Sequence, residues 1–386
     1  MNRDKIYEDL DFSTEFSVDD WNSLIELKLA KYFEDESIFK ENKEILRTEV
    51  VNYIRISIKP EYLKLFDWTF DQYSDCLEKD RDKTLAIFSN SFHEVSNTDM
   101  KWMTNVLTQA DFHKFSERDK INYYFKIIDE TLESTFNPRF RLFDQIINFK
   151  VNNEIIDNSN SSFGNIISNF PIEFKEEAQL YLNDPLFSIS TNQWRNIASH
   201  KSFSIKKNSI DLVYGRSNNH FKNITYDDFY KIITWTQDIY RVIRLSQVLI
   251  SLNLIQEILP KLNGKEELKI RFESNLFHIV HNMQIVGFKF VSTEETDSTF
   301  NLNVNGKLGH KVSHSLIHAS LCLDQLSCAI YDDDFVRDNF EYARISIVDN
   351  EGKKLASATV KIKIALKRAN NEISQDEYLK NIKFEV

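Results

Sequence analysis

Three cysteines in 386 residues, Cys76, Cys322 and Cys328, with no CxxC pair among them, exclude a disulfide framework and a cysteine zinc finger. That usage fits a reducing cytoplasm, the expected location. Positive charge is short as well. A formal net charge of -11 excludes wholesale coating of a nucleic acid, because binding to a polyanion is driven by counterions displaced at basic surfaces. The opening residues MNRDKIYEDLDF lack the apolar core of a signal peptide, and no later apolar run is expected to span a bilayer, so a soluble, intracellular protein with no membrane partner is expected. Walker A, GxGxxG, HExxH and GxSxG patterns are missing, which removes support for nucleotide hydrolases, common dehydrogenases, zinc proteases and serine hydrolases; no cofactor is expected.

Glycine and proline are few enough to act as punctuation. Gly164 and Gly215 precede position 260, whereas Gly264, Gly287, Gly306, Gly309 and Gly352 follow it. Pro60, Pro138, Pro171, Pro185 and Pro260 all lie at or before it. The stretch Leu259 to Glu267, LPKLNGKEE, therefore marks a boundary between a helical part and a turn-rich part.

What remains is apolar and aromatic, at 42% and 13%, enough to bury two or three cores. Apolar residues return every three or four positions from Asp19 to about Leu132, the pattern of amphipathic helices. Asp19 or Asp20 suits the first helix start, Pro60 a first helical turn, and Ser116 the cap of a run containing Ile121, Tyr124, Phe125 and Ile128. RFRLFDQIINFK near 139 to 150 and EEAQLYL near 176 to 182 continue the helical pattern around a polar loop, DNSNSSFGN. Ser190 and Gln193 have capping-box spacing, SFSIKK and SIDLVYG alternate like a hairpin, and Thr225 or Asp227 opens a long helix running to Pro260. Beyond 264, GFKFVST, STFNLNVN, YARISIVDN and KLASATVKIKIAL read as strands, with VSHSLIHASLCLDQLSCAIY a helix among them. The expected organisation is mainly α: an N-terminal helical region over 1–115, a helical bundle over 116–262, and a C-terminal α+β domain over 263–386.

One stretch suggests chemistry: NQWRNIASHKSFSI, with Arg195, an adjacent Asn196, and His200 five positions after the arginine. On a helix, Trp194, Ile197 and Ala198 share one side, while Arg195, Asn196, Ser199 and His200 occupy the other. Arg195 and His200 fall roughly 140° apart on that wheel, so a distorted helix end or a second copy of the motif would help them converge. Histidine titrates near neutral pH and can pass a proton to or from an oxygen, and arginine offers fixed, charged donors to a pentacoordinate phosphate. Between Ser190 and Ile250 nine basic residues (Arg195, Lys201, Lys206, Lys207, Arg216, Lys222, Lys231, Arg241 and Arg244) stand against four acids, a local excess of five in an acidic chain. A second arginine and histidine at related spacing, Arg271 and His278, lie past the helical boundary and lack the asparagine.

The stretch WRNIASHK resembles the nuclease motif of the HEPN superfamily of helical ribonucleases, with the long downstream helix that the pattern carries. The resemblance covers roughly 116 to 262. It implies a HEPN-like bundle and a metal-independent endoribonuclease, a hydrolase that cleaves RNA through its 2′-hydroxyl. Arg195 and His200 would be catalytic and Asn196 would position one of them or the phosphate, with Lys201, Lys206 and Lys207 as RNA contacts. It further implies a homodimer with a composite active site, acting as a toxin or antiviral (anti-phage) defence effector, under a regulatory protein or phage-derived trigger. The flanking regions would then regulate or target the nuclease. The alternative is a catalytically silent HEPN-like binding or assembly module, with recognition by the C-terminal domain.

A second constellation competes. His310, His314, His318 and Cys322 repeat every four residues, so adjacent pairs on one helix could ligate zinc, with His278 and His281 completing a site alongside His314 and His318. A packed or solvated face is the plainer expectation. The run Asp332, Asp333, Asp334 lacks the glycine and downstream carboxylate of a calcium loop and is expected to be solvated.

Overall fold

The computed structural model describes residues 18–107, 115–215, 219–262, 272–306, 309–334 and 336–385. Contacts divide the chain into two units, one formed by Asn22–Asn105 with Asp111–Glu266, the other by Met1–Trp21, Val106–Ala110 and Glu267–Val386. Helices from both sides of position 116 thus share one unit.

The helices lying wholly or mostly in the first unit are α1 (Val18–Leu29), α2 (Glu36–Glu41), α3 (Lys43–Ser57), α4 (Pro60–Lys79), α5 (Arg81–Leu107), α6 (Glu117–Asp129), α7 (Asn137–Asn152), α8 (Phe163–Asn169), α9 (Gln179–Leu182), α10 (Thr191–Ser199) and α11 (Tyr226–Ile258). Local signals set several of their ends. Pro60 occupies the first turn of α4, where its missing N–H is no loss. Ser116 caps α6 by accepting from Asp119 N at 3.2 Å, and Thr225 caps α11 by accepting from Asp228 N at 3.1 Å. The loop expected around Phe163 is shorter than the sequence suggests, because Ser162 caps α8 through Asn165 N. Between α6 and α7 the helix continues without a break, but Glu130–Phe136 takes the wider π-helical hydrogen-bonding pattern.

Helix α11 is the axis of this unit, burying Ile232, Trp235, Ile239, Val242, Ile243, Leu249 and Leu254. The stretch Tyr226–Lys261 is long and apolar enough to cross a membrane, which corrects the expectation that no apolar run has that length. Burial of its apolar positions on several sides accounts for the composition: a helix surrounded by protein is hydrophobic nearly all round. A charged network threads the same core. Arg139 reaches Gln247 at 3.0 Å and Asp99 at 2.7 Å, while Arg244 reaches Glu49 at 2.7 Å and Asp99 at 2.8 Å. Burial pushes the Asp99 carboxyl up, but Arg139 and Arg244 outweigh it and hold the group down at about 2.

After α10 comes a three-stranded antiparallel sheet, β1 (Phe203–Ile205), β2 (Ser209–Tyr214) and β3 (His220–Thr225). The hairpin read from the sequence is present, with Phe203 opposite Leu212; the third strand was not anticipated. Phe203 stacks on Phe125 of α6 at 3.7 Å between ring centroids, which fixes the sheet against the helices.

The second unit holds α12 (Phe272–Ile285), β4 (Lys289–Thr296), β5 (Thr299–Asn305), α13 (Val312–Ser320), α14 (Leu323–Asp332), β6 (Tyr342–Val348), β7 (Lys354–Lys361), α15 (Ile362–Ala369), α16 (Gln375–Lys380) and β8 (Lys383–Glu385). Its five strands lie in chain order; β5 and β6 are parallel and the other neighbours antiparallel. Phe300, Leu302, Val304, Ile345 and Ala358 form a core with Leu276, Val280, Leu316 and Leu326 of the helices. The alternate positions are polar: Ser346 Oγ donates to Asn301 Oδ1 at 2.9 Å and Asn303 Nδ2 to Ser292 Oγ at 3.0 Å. Two elements depart from expectation. KLASATVKIKIAL is a strand only to Lys361 and then helix α15, and the 312–331 helix breaks at Leu321 and Cys322.

Candidate active site

Helix α10 is short and is held from beneath by one buried carboxylate. Asp184 is 1% exposed; its Oδ1 accepts from Leu186 N at 2.9 Å and Phe187 N at 2.6 Å, and its Oδ2 from Ile189 N at 2.8 Å and Trp194 Nε1 at 2.9 Å. Thr191 Oγ1 donates to Tyr181 O at 2.5 Å, fastening the first turn of α10 to the end of α9. Trp194 and Ile197 are buried and Ala198 nearly so, as the helical wheel requires. Ser190 stands at the expected cap position, but its hydroxyl donates to Asn192 Oδ1 at 2.8 Å and caps no backbone N–H. Gln193 instead accepts from Gly215 N at 2.9 Å, tying α10 to the end of β2, so the capping box is replaced by a link to the sheet.

The helix ends between the two candidate catalytic residues. Arg195 lies inside α10; His200 is the first residue past it, with φ -87° and ψ 1°. Lys201 is left-handed at φ 53°, and Ser202 N and Lys201 N donate back to Ile197 O (2.9 Å) and Ala198 O (3.3 Å). This is a Schellman closure with lysine in the place glycine usually takes. His200 and Lys201 are exposed, and Arg195 is largely covered, its side chain 22% accessible.

What Arg195 meets comes from the π-helical turn. Its Nε lies 3.1 Å from Glu133 Oε2, an ion pair whose alignment falls short of a hydrogen bond. Asp129, one turn earlier, is within electrostatic reach of both candidates: burial raises its carboxyl pKa, Arg195 and His200 oppose the rise, and Glu133 and Glu130 add to it. The Asn196 amide makes no hydrogen bond to a described residue; its peptide oxygen accepts from His200 N at 2.9 Å.

Acids from outside the window offset part of the basic excess counted along the sequence. Arg244 is occupied by Glu49 and Asp99, and Arg241 by Asp238 at 2.7 Å. Lys231 pairs with Asp228 at 3.5 Å, Lys206 with Asp211 at 3.6 Å, and Lys222 sits over the Phe187 ring. Lys207 is exposed at the hairpin turn, and Arg216 lies outside the described residues. A window of sequence could not reveal this, because Glu49, Asp99 and Glu133 arrive from other helices. Asp129 and Glu133 carry no motif; their one sequence signal is a helical pattern running without interruption from Ser116 into 139–150.

The rings of His310, His314 and His318 do line up in a row, but not on one continuous helix. His310 precedes α13, His314 and His318 lie on it, and Cys322 follows its end. His310 Nδ1 and His314 Nδ1 are 3.0 Å apart as a hydrogen-bonded pair of exposed rings, and His318 packs beside His314. His278 is exposed on α12; Arg271 lies outside the described residues. Among the described residues no group of three metal-ligating side chains converges. In comparisons with known proteins, no family model, no curated protein and no solved structure matches this chain.

Proposed function

We propose that the protein is a metal-independent endoribonuclease of HEPN type, with Arg195 and His200 at its centre. The observation that carries the proposal is geometric: α10 is anchored through buried Trp194 and Ile197 and ends between Arg195, a largely covered cation, and the exposed imidazole of His200. A polar cluster of this kind, on a helix whose other side is anchored in the core, suits general acid-base chemistry beside a fixed cation.

The reaction divides among these side chains as follows. The imidazole of His200 takes the proton of a ribose 2′-hydroxyl as its oxygen bonds to phosphorus, or donates one to the departing 5′-oxygen as the P–O5′ bond breaks. Arg195 holds the negative charge gathering on the phosphoryl oxygens, and the Asn196 amide can donate to one of them. The products are a 2′,3′-cyclic phosphate and a 5′-hydroxyl. A homodimer that brings two motifs to one cleft would let one histidine act as base and the other as acid. Lys201, Lys206 and Lys207 would meet flanking phosphates, and the cellular role would be that of a toxin or antiviral effector. The test is RNA cleavage by the full chain with end-group analysis. A 2′,3′-cyclic phosphate, lost when the scissile ribose is 2′-deoxy, supports the mechanism; cleavage of the 2′-deoxy substrate rejects it.

A further inference from the structure

The same site sets carboxylates against the substrate it would bind. A phosphate approaching Arg195 meets Glu133 already 3.1 Å from the guanidinium, with Asp129 within electrostatic reach, and carboxylate charge there repels the polyanion that Arg195 would attract. Glu133 is itself half-exposed, its side chain 47% accessible, so it is not locked in place by packing.

The backbone that carries it is unusual. Glu130–Phe136 is a seven-residue π-helical stretch inside a helix that otherwise runs α-helically from Glu117 to Asn152. π-Helical turns are rare in proteins and concentrate at functional sites. Within it, the Thr131 hydroxyl is buried with no hydrogen-bond partner, while Thr135 Oγ1 donates to Thr131 O at 2.6 Å. A buried hydroxyl without a partner costs free energy. Returning this stretch to an α-helical ladder would change the angular position of Glu133 relative to residues before it, and so relative to Arg195.

Resting on the ribonuclease reading, we propose that Glu133 is an electrostatic latch: it occupies Arg195 in the state described here, and its withdrawal on the π-helical turn opens the site to RNA phosphate. A positioning role is the rival. A carboxylate that oriented the guanidinium would be expected to make an aligned hydrogen bond, and this one does not.

The two roles give opposite signs in one experiment. Initial rates of RNA cleavage are measured for the full-length wild type, Glu133→Gln, Arg195→Ala and the double variant. Glu130→Gln serves as a charge control, since Glu130 lies on the same turn but pairs with Lys126 at 3.5 Å. The latch predicts that Glu133→Gln raises kcat/KM about tenfold or more, equivalent to ~1.4 kcal/mol of relieved competition, that the gain vanishes in the double variant, and that Glu130→Gln changes the rate less than threefold. An unchanged or lower rate in Glu133→Gln, with cleavage still dependent on Arg195, overturns the latch and leaves the ribonuclease reading standing. Cleavage by Glu133→Gln where the wild type is silent supports both. If neither protein shows Arg195-dependent cleavage, the ribonuclease reading fails and takes the latch with it.

Discussion

Replacing Asp184 tests how the candidate site is built without touching its chemistry. The carboxylate accepts four hydrogen bonds, two on each oxygen, from three backbone N–H groups and the indole of Trp194. Bonds to a charged acceptor contribute about 1.5–3 kcal/mol each, but removing the side chain also relieves the desolvation of a buried charge, so Asp184→Ala should destabilise by roughly 3–5 kcal/mol. In a unit of this size that lowers Tm by on the order of 10 °C. Asp184→Asn is the sharper variant. Whichever way the amide is turned, its NH2 faces two N–H donors, so an isosteric change should still destabilise by about 2–4 kcal/mol. Thermal unfolding followed by tryptophan fluorescence reads both, because Trp194 loses its partner. An Asn variant within about 0.5 kcal/mol of wild type would refute the clamp.

Two further changes bear on stability. Burial raises the Asp144 carboxyl to about 6, with Asn158 and Asn148 opposing the rise, so the native state favours the protonated form and loses stability as pH climbs from about 4 through 6. Asp144→Asn should therefore raise stability by about 1–3 kcal/mol at pH 7.5 and leave it nearly unchanged at pH 4; equal effects at both would contradict the assignment. Lys201→Gly should stabilise the α10 terminus by about 0.5–1 kcal/mol through its left-handed backbone, while weakening RNA binding if Lys201 meets phosphate, as unfolding and filter-binding measurements would show.

Much of the scaffold was legible where a local rule fixes the outcome. Pro60, Ser116 and Thr225 act at helix starts on their own neighbours, and the β1–β2 hairpin follows from alternation around Lys207 and Asn208. The long helix α11 was legible too, although its suitability as a span was not anticipated. Features set by distant partners were not. Gln193 has the spacing of a capping residue yet bonds to Gly215, because the sheet offers a backbone donor that the helix start does not need to share. The strand His220–Thr225 depends on pairing with β2, and its own sequence alternates weakly. The charge around Arg195 was misread for the same reason: counting along the chain found an excess of cations, whereas Glu133 and Asp129 approach from another helix. The motif showed which side chains to examine, and the fold supplied what they face.

The central claim, that Arg195 and His200 form a ribonuclease centre, meets its most direct test in cleavage of a structured RNA by the purified full-length chain in EDTA. Wild type and Glu133→Gln are compared with Arg195→Ala and His200→Ala variants whose folding is checked by circular dichroism. The account predicts cleavage that each of the two alanine substitutions abolishes while the protein stays folded. Unchanged cleavage in either alanine variant would contradict it, and so would the absence of cleavage in both wild type and Glu133→Gln.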